Sequence, residues 1–99
     1  MTSFKEALDK NLETLELYVP VVDRVHGDAH PEFHGVRRLF EDIAGRVKET
    51  EPGPDFSREF ELLRDITNNY TVPCDVCETY EAVYAMLAEL DEAYQARDQ

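Results

Sequence analysis

Apolar residues recur at alternating steps of four and three in four separate segments of this chain. That spacing places the apolar side chains on one face of an α-helix. The four faces comprise Phe4, Leu8, Leu12, Leu15, Val19 and Val22; Val36, Phe40, Ile43 and Val47; Phe56, Phe60 and Leu63 with Ile66 or Thr67; and Val76, Tyr80, Val83, Leu87, Leu90 and Tyr94. Because each helix has one apolar face and the connections are short, we expect an all-α fold, an up-down four-helix bundle.

Proline and capping residues mark where these helices begin and end. Pro31 suits the first turn of the second helix. The segment KETEPGPDF, residues 48–56, holds two prolines and a glycine, which predicts the longest loop. Asp75 and Glu78 have the spacing of an N-cap and its reciprocal partner, so we expect the fourth helix to begin directly after Asp75.

The charge of the chain is strongly acidic, with 22 acidic and 10 basic residues and a formal net charge of -12. A field of that sign disfavours nucleic acid as a partner, since phosphate binding needs a basic patch. It suits a high-salt cytoplasm and an ordinary acidic protein equally well. With 99 residues the chain fits one helical-bundle domain, residues 1–99.

The amino-terminal residues combine neither a basic region nor an apolar run of the kind that forms a signal peptide. No apolar segment approaches the ~20 residues that a transmembrane helix needs. We therefore expect a cytoplasmic protein without a membrane interaction, in which both cysteines are reduced.

Two cysteines three positions apart, Cys74 and Cys77, precede the last apolar segment. With His26 and His30 they would complete a Cys2His2 set for zinc, provided that the turn before helix four lies beside the turn before helix two. In an up-down bundle those two turns share an end. Two alternatives remain: a redox thiol at a helix amino end, and a reduced pair in which Cys77 is a small packed residue.

The histidines allow structural interpretations as well. His26 continues the apolar face of the first helix, so it is either an inward metal ligand or a helix-end cation stabilised by the helix dipole. Gly27 follows it as the expected helix end. His30 would cap the second helix and His34 would point outward, and both are more typical of solvated residues than of ligands.

Two longer segments resemble one protein family. DRVHGDAHPEF, residues 23–33, and ITNNYTVPCDVCETYEAVYAMLAELDEA, residues 66–93, resemble the hemerythrin-like iron–sulfur cluster repair proteins. The resemblance covers about half of the chain, in the family's order. It implies a hemerythrin-like bundle, and it implies that His26 matches an iron ligand of the di-iron centre.

The remaining ligands of that family do not carry over. Where the family has histidines this chain has Lys5, the histidine-free segment GRVKETEPGPDF at residues 45–56, Gly53 with Pro54, and Arg97. A hemerythrin-like di-iron centre needs more histidines than the three in this sequence, together with bridging carboxylates. The resemblance therefore implies a shortened, ligand-poor relative that cannot build the complete di-iron site from one chain.

These observations predict a small, non-enzymatic protein related to iron–sulfur cluster repair. In the first hypothesis it binds zinc or iron through His26, His30, Cys74 and Cys77. In the alternative it is a metal-free helical interaction module, a homodimer or a binder of another protein. The alternative rests on surplus apolar residues away from the four main faces, namely Leu17, Val21, Val25, Leu39, Leu62 and Met86.

Overall fold

The computed structural model describes residues 3–49 and 55–96, which form four helices and no strand. The helices are α1 (Phe4–His26), α2 (Glu32–Glu49), α3 (Ser57–Ile66) and α4 (Glu78–Ala96). The prediction of an all-α arrangement of four helices is confirmed. Within the described ranges, no helix is long and apolar enough to cross a membrane. The centre of the expected loop, and the positions Gly53, Pro54 and Arg97, lie outside the described residues.

Consecutive helices run antiparallel, and α3 contacts α4 through Arg64 and Asp91. Helix α1 packs against α4 and α2, and α2 packs against α3. Near one end Lys10 of α1 meets Glu89 of α4 at 3.2 Å. At the other end the last residue of α1 lies beside the residue before α4. Helices α1 and α4 are therefore antiparallel to each other.

The predicted apolar faces form the core, which is rich in aromatic rings. Its largest fully buried side chains include Phe33, Phe56, Phe60, Tyr80 and Tyr84. The interior of α2 begins one turn earlier than its predicted face, because Phe33 is fully buried and lies 5.1 Å from the Tyr80 ring, between centroids. Five members of the predicted faces are only partly buried, and all but Leu12 lie at an end of their face: Phe4, Leu12, Val47, Ile66 and Val76.

Helix α1 starts at a capping box and ends at a glycine. The Ser3 hydroxyl accepts a hydrogen bond from the Glu6 backbone, and the Glu6 carboxylate accepts one from the Ser3 backbone. Gly27 has φ -59°, so it does not provide a left-handed cap. A Cβ there would lie 2.6 Å from Cε1 of His34 and 2.3 Å from the Asp23 carbonyl oxygen. Gly27 is needed chiefly because the Asp23 carbonyl oxygen, a backbone atom that cannot move aside, approaches so closely.

The predicted start of α4 is wrong. The helix begins at Glu78, and the Glu81 backbone N–H donates to the Cys77 carbonyl. Cys77 therefore stands directly before the first turn. The Asp75 carboxylate does not serve as the N-cap; it lies within hydrogen-bond distance of His30 instead.

A buried carboxylate holds the connection between α3 and α4. Asp91 is 4% exposed and accepts hydrogen bonds from Arg64, from the Tyr70 hydroxyl at 2.8 Å and from Gln95 at 3.1 Å. Burial raises the pKa of the Tyr70 phenol, and the Asp91 carboxylate raises it further. Tyr70 thus remains a neutral donor to this carboxylate.

The same connection contains three consecutive non-glycine residues in the left-handed region. Asn68, Asn69 and Tyr70 have φ values of 52°, 58° and 62°. Each such residue costs on the order of 1–3 kcal/mol and needs compensation from its surroundings. The Thr67 hydroxyl accepts from the Tyr70 backbone at 2.8 Å, and the Tyr70 side chain is held by Asp91. Asp91 therefore stabilises the strained turn that leads toward the two cysteines.

We expect Asp91→Ala to lower the free energy of unfolding by about 2–4 kcal/mol, because it leaves the partly buried donors of Arg64 and Tyr70 without their acceptor. Glu92→Ala is the matched control, since it removes an exposed carboxylate one position along the same helix. The control should change stability by less than about 0.5 kcal/mol. Urea unfolding followed by circular dichroism measures both variants. Equal midpoints for the two would contradict the role given to Asp91.

Candidate functional site

The turn before α2 and the connection before α4 meet at one end of the bundle, and His30 joins them. Its Nε2 lies 3.1 Å from Oδ1 of Asp75, and its Nδ1 lies 3.2 Å from Oε2 of Glu32. Both ring nitrogens face carboxylate oxygens, so both act as donors when the two hydrogen bonds form together. The His30 side chain is only 14% exposed. His30 is therefore largely buried, and its contacts hold the two connections together.

His26 and Cys77 form the second contact between these connections. Nε2 of His26 lies 3.1 Å from Sγ of Cys77, within hydrogen-bond distance for sulfur. The apolar face of α1 directs His26 toward the bundle, where its ring packs edge-on against Tyr80 with centroids 5.4 Å apart. The imidazole is thus held on one side by an aromatic ring, while its Nε2 faces the thiol.

The Tyr80 ring packs against both His26 and His30. The His30 ring centroid lies 5.7 Å from that of Tyr80, on the same buried residue that supports His26. The Tyr80 hydroxyl is 3.1 Å from the Tyr84 hydroxyl. Burial raises the pKa of both phenols. The two tyrosines therefore stay neutral and add no charge beside the histidines.

Cys74 lies in the same connection as Cys77, and both thiols are exposed. The two cysteines line one cavity of about 270 Å³ with Val72, Pro73, Val76, Glu78 and Glu81. Cys74 has no hydrogen-bond partner among residues 3–49 and 55–96. The structure therefore holds one thiol against an imidazole and leaves the second thiol open to the same cavity.

The four predicted ligands are brought to one end of the bundle but not to one point. His26 and Cys77 are in direct contact, whereas His30 is turned toward Asp75 and Glu32. In the part of the chain that the structure describes, no three histidine, cysteine or acidic side chains are arranged to hold a metal ion. Two potential metal donors are already in contact, the Nε2 atom of His26 and the Sγ atom of Cys77.

The spacing of that pair is close to what a metal would need. Zn–S and Zn–N bonds of about 2.3 and 2.05 Å at a tetrahedral angle place sulfur and nitrogen about 3.6 Å apart. His26 and Cys77 are separated by 3.1 Å. An opening of about 0.5 Å, within the reach of small rotations of the two side chains, would admit the ion. Cys74 is the nearest further thiol on the chain.

A di-iron centre does not fit the described residues. The interior between α2 and α4 beside this site is occupied by the fully buried rings of Phe33, Tyr80 and Tyr84. The third histidine, His34, is 56% exposed and its Nδ1 lies 2.5 Å from Oδ1 of Asp23. His34 therefore faces outward, as predicted, and its ring contacts the Asp23 carboxylate of α1.

The contacts of Asp75 and Tyr80 were not predicted from the sequence. Asp75 has the helix-cap pattern with Glu78, and that pattern conceals its contact with His30. Tyr80 belongs to the predicted apolar face, and nothing in the spacing shows that two imidazoles pack on it. The acidic partners of His34 and Arg37 were also missed. Hydrogen bonds to Glu41 and Asp23 raise the pKa of Arg37.

The chain was compared with known proteins at three levels. Neither the protein-family models, nor the curated proteins, nor the solved structures contain a match to it. Its function has therefore to be argued from the site and from the residues that form it.

Proposed function

We propose that this protein is a small, non-enzymatic metal handler that binds one thiophilic ion, zinc or iron, at the end of its helical bundle. The observation that carries the proposal is the 3.1 Å separation of His26 Nε2 and Cys77 Sγ. A soft sulfur donor beside an imidazole nitrogen suits zinc and iron better than magnesium or calcium. Cys74 supplies the third donor from the same cavity.

The charge around the site favours a cation. Asp75, Glu78 and Glu81 lie in or beside the cavity that the cysteines line. The chain as a whole carries a formal charge of -12, which raises the local concentration of cations. The site is also open, since both thiols are exposed. An open, incomplete ligand set suits an ion that is taken up and passed on.

His30 would enter the ligand set only by leaving two carboxylates. It has contacts to Glu32 and Asp75, which together fix the turn before α2 to the connection before α4. In the proposed resting site His30 is therefore a positioning residue, and it becomes the fourth ligand when Asp75 releases it. This gives His30 a role different from those of His26, Cys74 and Cys77.

The resemblance to hemerythrin-like iron–sulfur cluster repair proteins supports the same proposal. The family's histidine in its RVHG segment matches His26, one of the two residues in direct contact here. The described fold is also all-helical with four helices. We include a relation to iron–sulfur cluster repair in the proposal, with a single-ion site in place of the di-iron centre.

The test is metal content and affinity of the protein purified without oxygen, tag or chelator. We expect about one zinc or iron ion per chain, and a sulfur-to-metal absorption band with Co²⁺ as the probe. Cys77→Ser and His26→Gln should weaken binding by more than the roughly 10- to 100-fold that loss of an outer partner causes. Cys74→Ser should remove part of the absorption band.

His34→Gln is the matched control, because it changes an exposed histidine whose ring contacts Asp23 instead of a cysteine. It should bind Co²⁺ as the unmodified protein does. Binding unaffected by Cys77→Ser, or equally weakened by His34→Gln, would contradict the proposed ligand set.

A second candidate function is a homodimeric interaction module, and an exposed apolar row on α1 favours it. Leu17, Val21 and Val25 are 65%, 37% and 63% exposed, at steps of four along the helix. Of the other predicted surplus residues, Leu39 and Met86 pack against the core and Leu62 is half-buried. The apolar surplus therefore lies on one helix face, which a second copy can cover.

The charges beside this row fit an antiparallel pairing of two α1 helices. Glu13 precedes the row and Arg24 lies near its end, and neither forms an ion pair within the described ranges. When two copies cross in opposite directions with Leu17 opposite the partner's Val21, position 13 lies opposite position 25, so Glu13 lies within one residue of the partner's Arg24. A parallel pairing would oppose like charges instead.

For the dimer, we expect light scattering to show an association that strengthens with salt, because screening weakens repulsion between two chains of charge -12. Leu17→Glu should raise the dissociation constant at least about 100-fold, since the loss occurs twice in a symmetric interface. Ala85→Glu adds the same charge at an exposed position of α4 and is the control. A monomer at high concentration and high salt would rule out this candidate.

A further inference from the structure

The two thiols, the imidazole and their shared cavity form a group whose chemistry does not depend on a metal ion. Cys74 and Cys77 are both free and exposed, and they are separated by one turn of the chain. They line the same cavity of about 270 Å³. One of them, Cys77, lies 3.1 Å from the Nε2 atom of His26. The two sulfurs thus differ in surroundings while facing a common space.

We propose that Cys77 and Cys74 reduce one small, neutral hydroperoxide per chain and become joined by a disulfide bond. Cys77 is the attacking thiol and Cys74 the resolving thiol. The inference uses the cysteines of the proposed metal site but does not rest on metal binding. It can be tested in metal-free protein, so failure of one proposal is distinguishable from failure of the other.

The assignment of the attacking sulfur follows from the contacts. The attacking thiol must give up its proton as the S–O bond forms, and an imidazole nitrogen within hydrogen-bond distance can accept that proton. Nε2 of His26 lies at that distance from Cys77. Among the described residues, Cys74 has no such neighbour.

The chemistry balances with two electrons. Cys77 sulfur attacks one peroxide oxygen, so that an S–O bond forms, the O–O bond breaks, and the thiol proton passes through His26 to the departing alcohol or water. Cys74 sulfur then attacks the Cys77 sulfenic acid; an S–S bond forms, the S–O bond breaks, and water leaves with the Cys74 proton. The two thiols are oxidised and the peroxide is reduced.

The acidic surroundings select the class of oxidant. Glu78 and Glu81 line the cavity, and Asp75 lies between the two cysteines in the chain. These carboxylates repel anions such as glutathione disulfide, and the net charge of -12 adds to that repulsion. The cavity is also small. Hydrogen peroxide and small alkyl hydroperoxides are neutral and meet both constraints.

The test uses the reduced, metal-free full chain and a small excess of hydrogen peroxide in the presence of a chelator. We expect the loss of both thiols, a monomeric product, and a mass lower by two hydrogens. Cys74→Ser should stop at a Cys77 sulfenic acid, which dimedone traps. His26→Gln should slow the reaction at least about tenfold, while His34→Gln should leave the rate unchanged. Glutathione disulfide at the same concentration should react much more slowly.

Dimedone labelling of the unmodified chain provides a measurement that needs no variant. Early in the reaction, the label should appear on Cys77 before it appears on Cys74. Label on Cys74 first, a product joined between two chains, or a rate unchanged in His26→Gln would overturn the proposal. Reaction of glutathione disulfide as fast as hydrogen peroxide would overturn the inferred substrate class.

Discussion

The turn before α2 and the connection before α4 meet at one end of the bundle, and this meeting places two histidines beside Cys77 and Asp75. His30 joins the turn before α2 to Asp75 in the connection before α4, and His26 meets Cys77 one residue before that helix. Tyr80 packs beneath both imidazoles. Because the contacts come from residues far apart in the chain, the Cys77 thiol is positioned by tertiary structure. Both the metal proposal and the peroxide proposal depend on that position.

The connection from α3 to α4 is held at both ends, which explains how an irregular segment can carry a site. At its start, three left-handed residues store strain that the Tyr70–Asp91 contact and the Thr67 hydroxyl offset. At its end, His26 and His30 hold Cys77 and Asp75. Between the two anchors, Cys74 remains exposed. Both thiols are exposed, but only Cys77 is held by a side-chain contact, and this difference separates their proposed roles.

The helices could be predicted from the sequence because periodicity reports burial, whereas the contacts at the site could not. Phe33 was missed because the face of α2 was counted from Val36, although Pro31 permits a helix start early enough to bury it. The Asp75–Glu78 pattern predicted a helix cap, but in the structure the Asp75 carboxylate contacts His30 instead. The capping box that does form, at Ser3 and Glu6, carries the same signal. Local patterns thus indicate a helix start without revealing competing partners from elsewhere in the chain.

The direct contact between His26 and Cys77 is the central claim, and nuclear magnetic resonance of the reduced, metal-free protein tests it most directly. The measurement is the nuclear Overhauser effect between the ring C–H protons of His26 and the β protons of Cys77. The 3.1 Å separation of Nε2 and Sγ predicts a clear cross-peak, together with cross-peaks from His26 to the Tyr80 ring. Cross-peaks to Tyr80 without any to Cys77, with both residues assigned, would contradict the account.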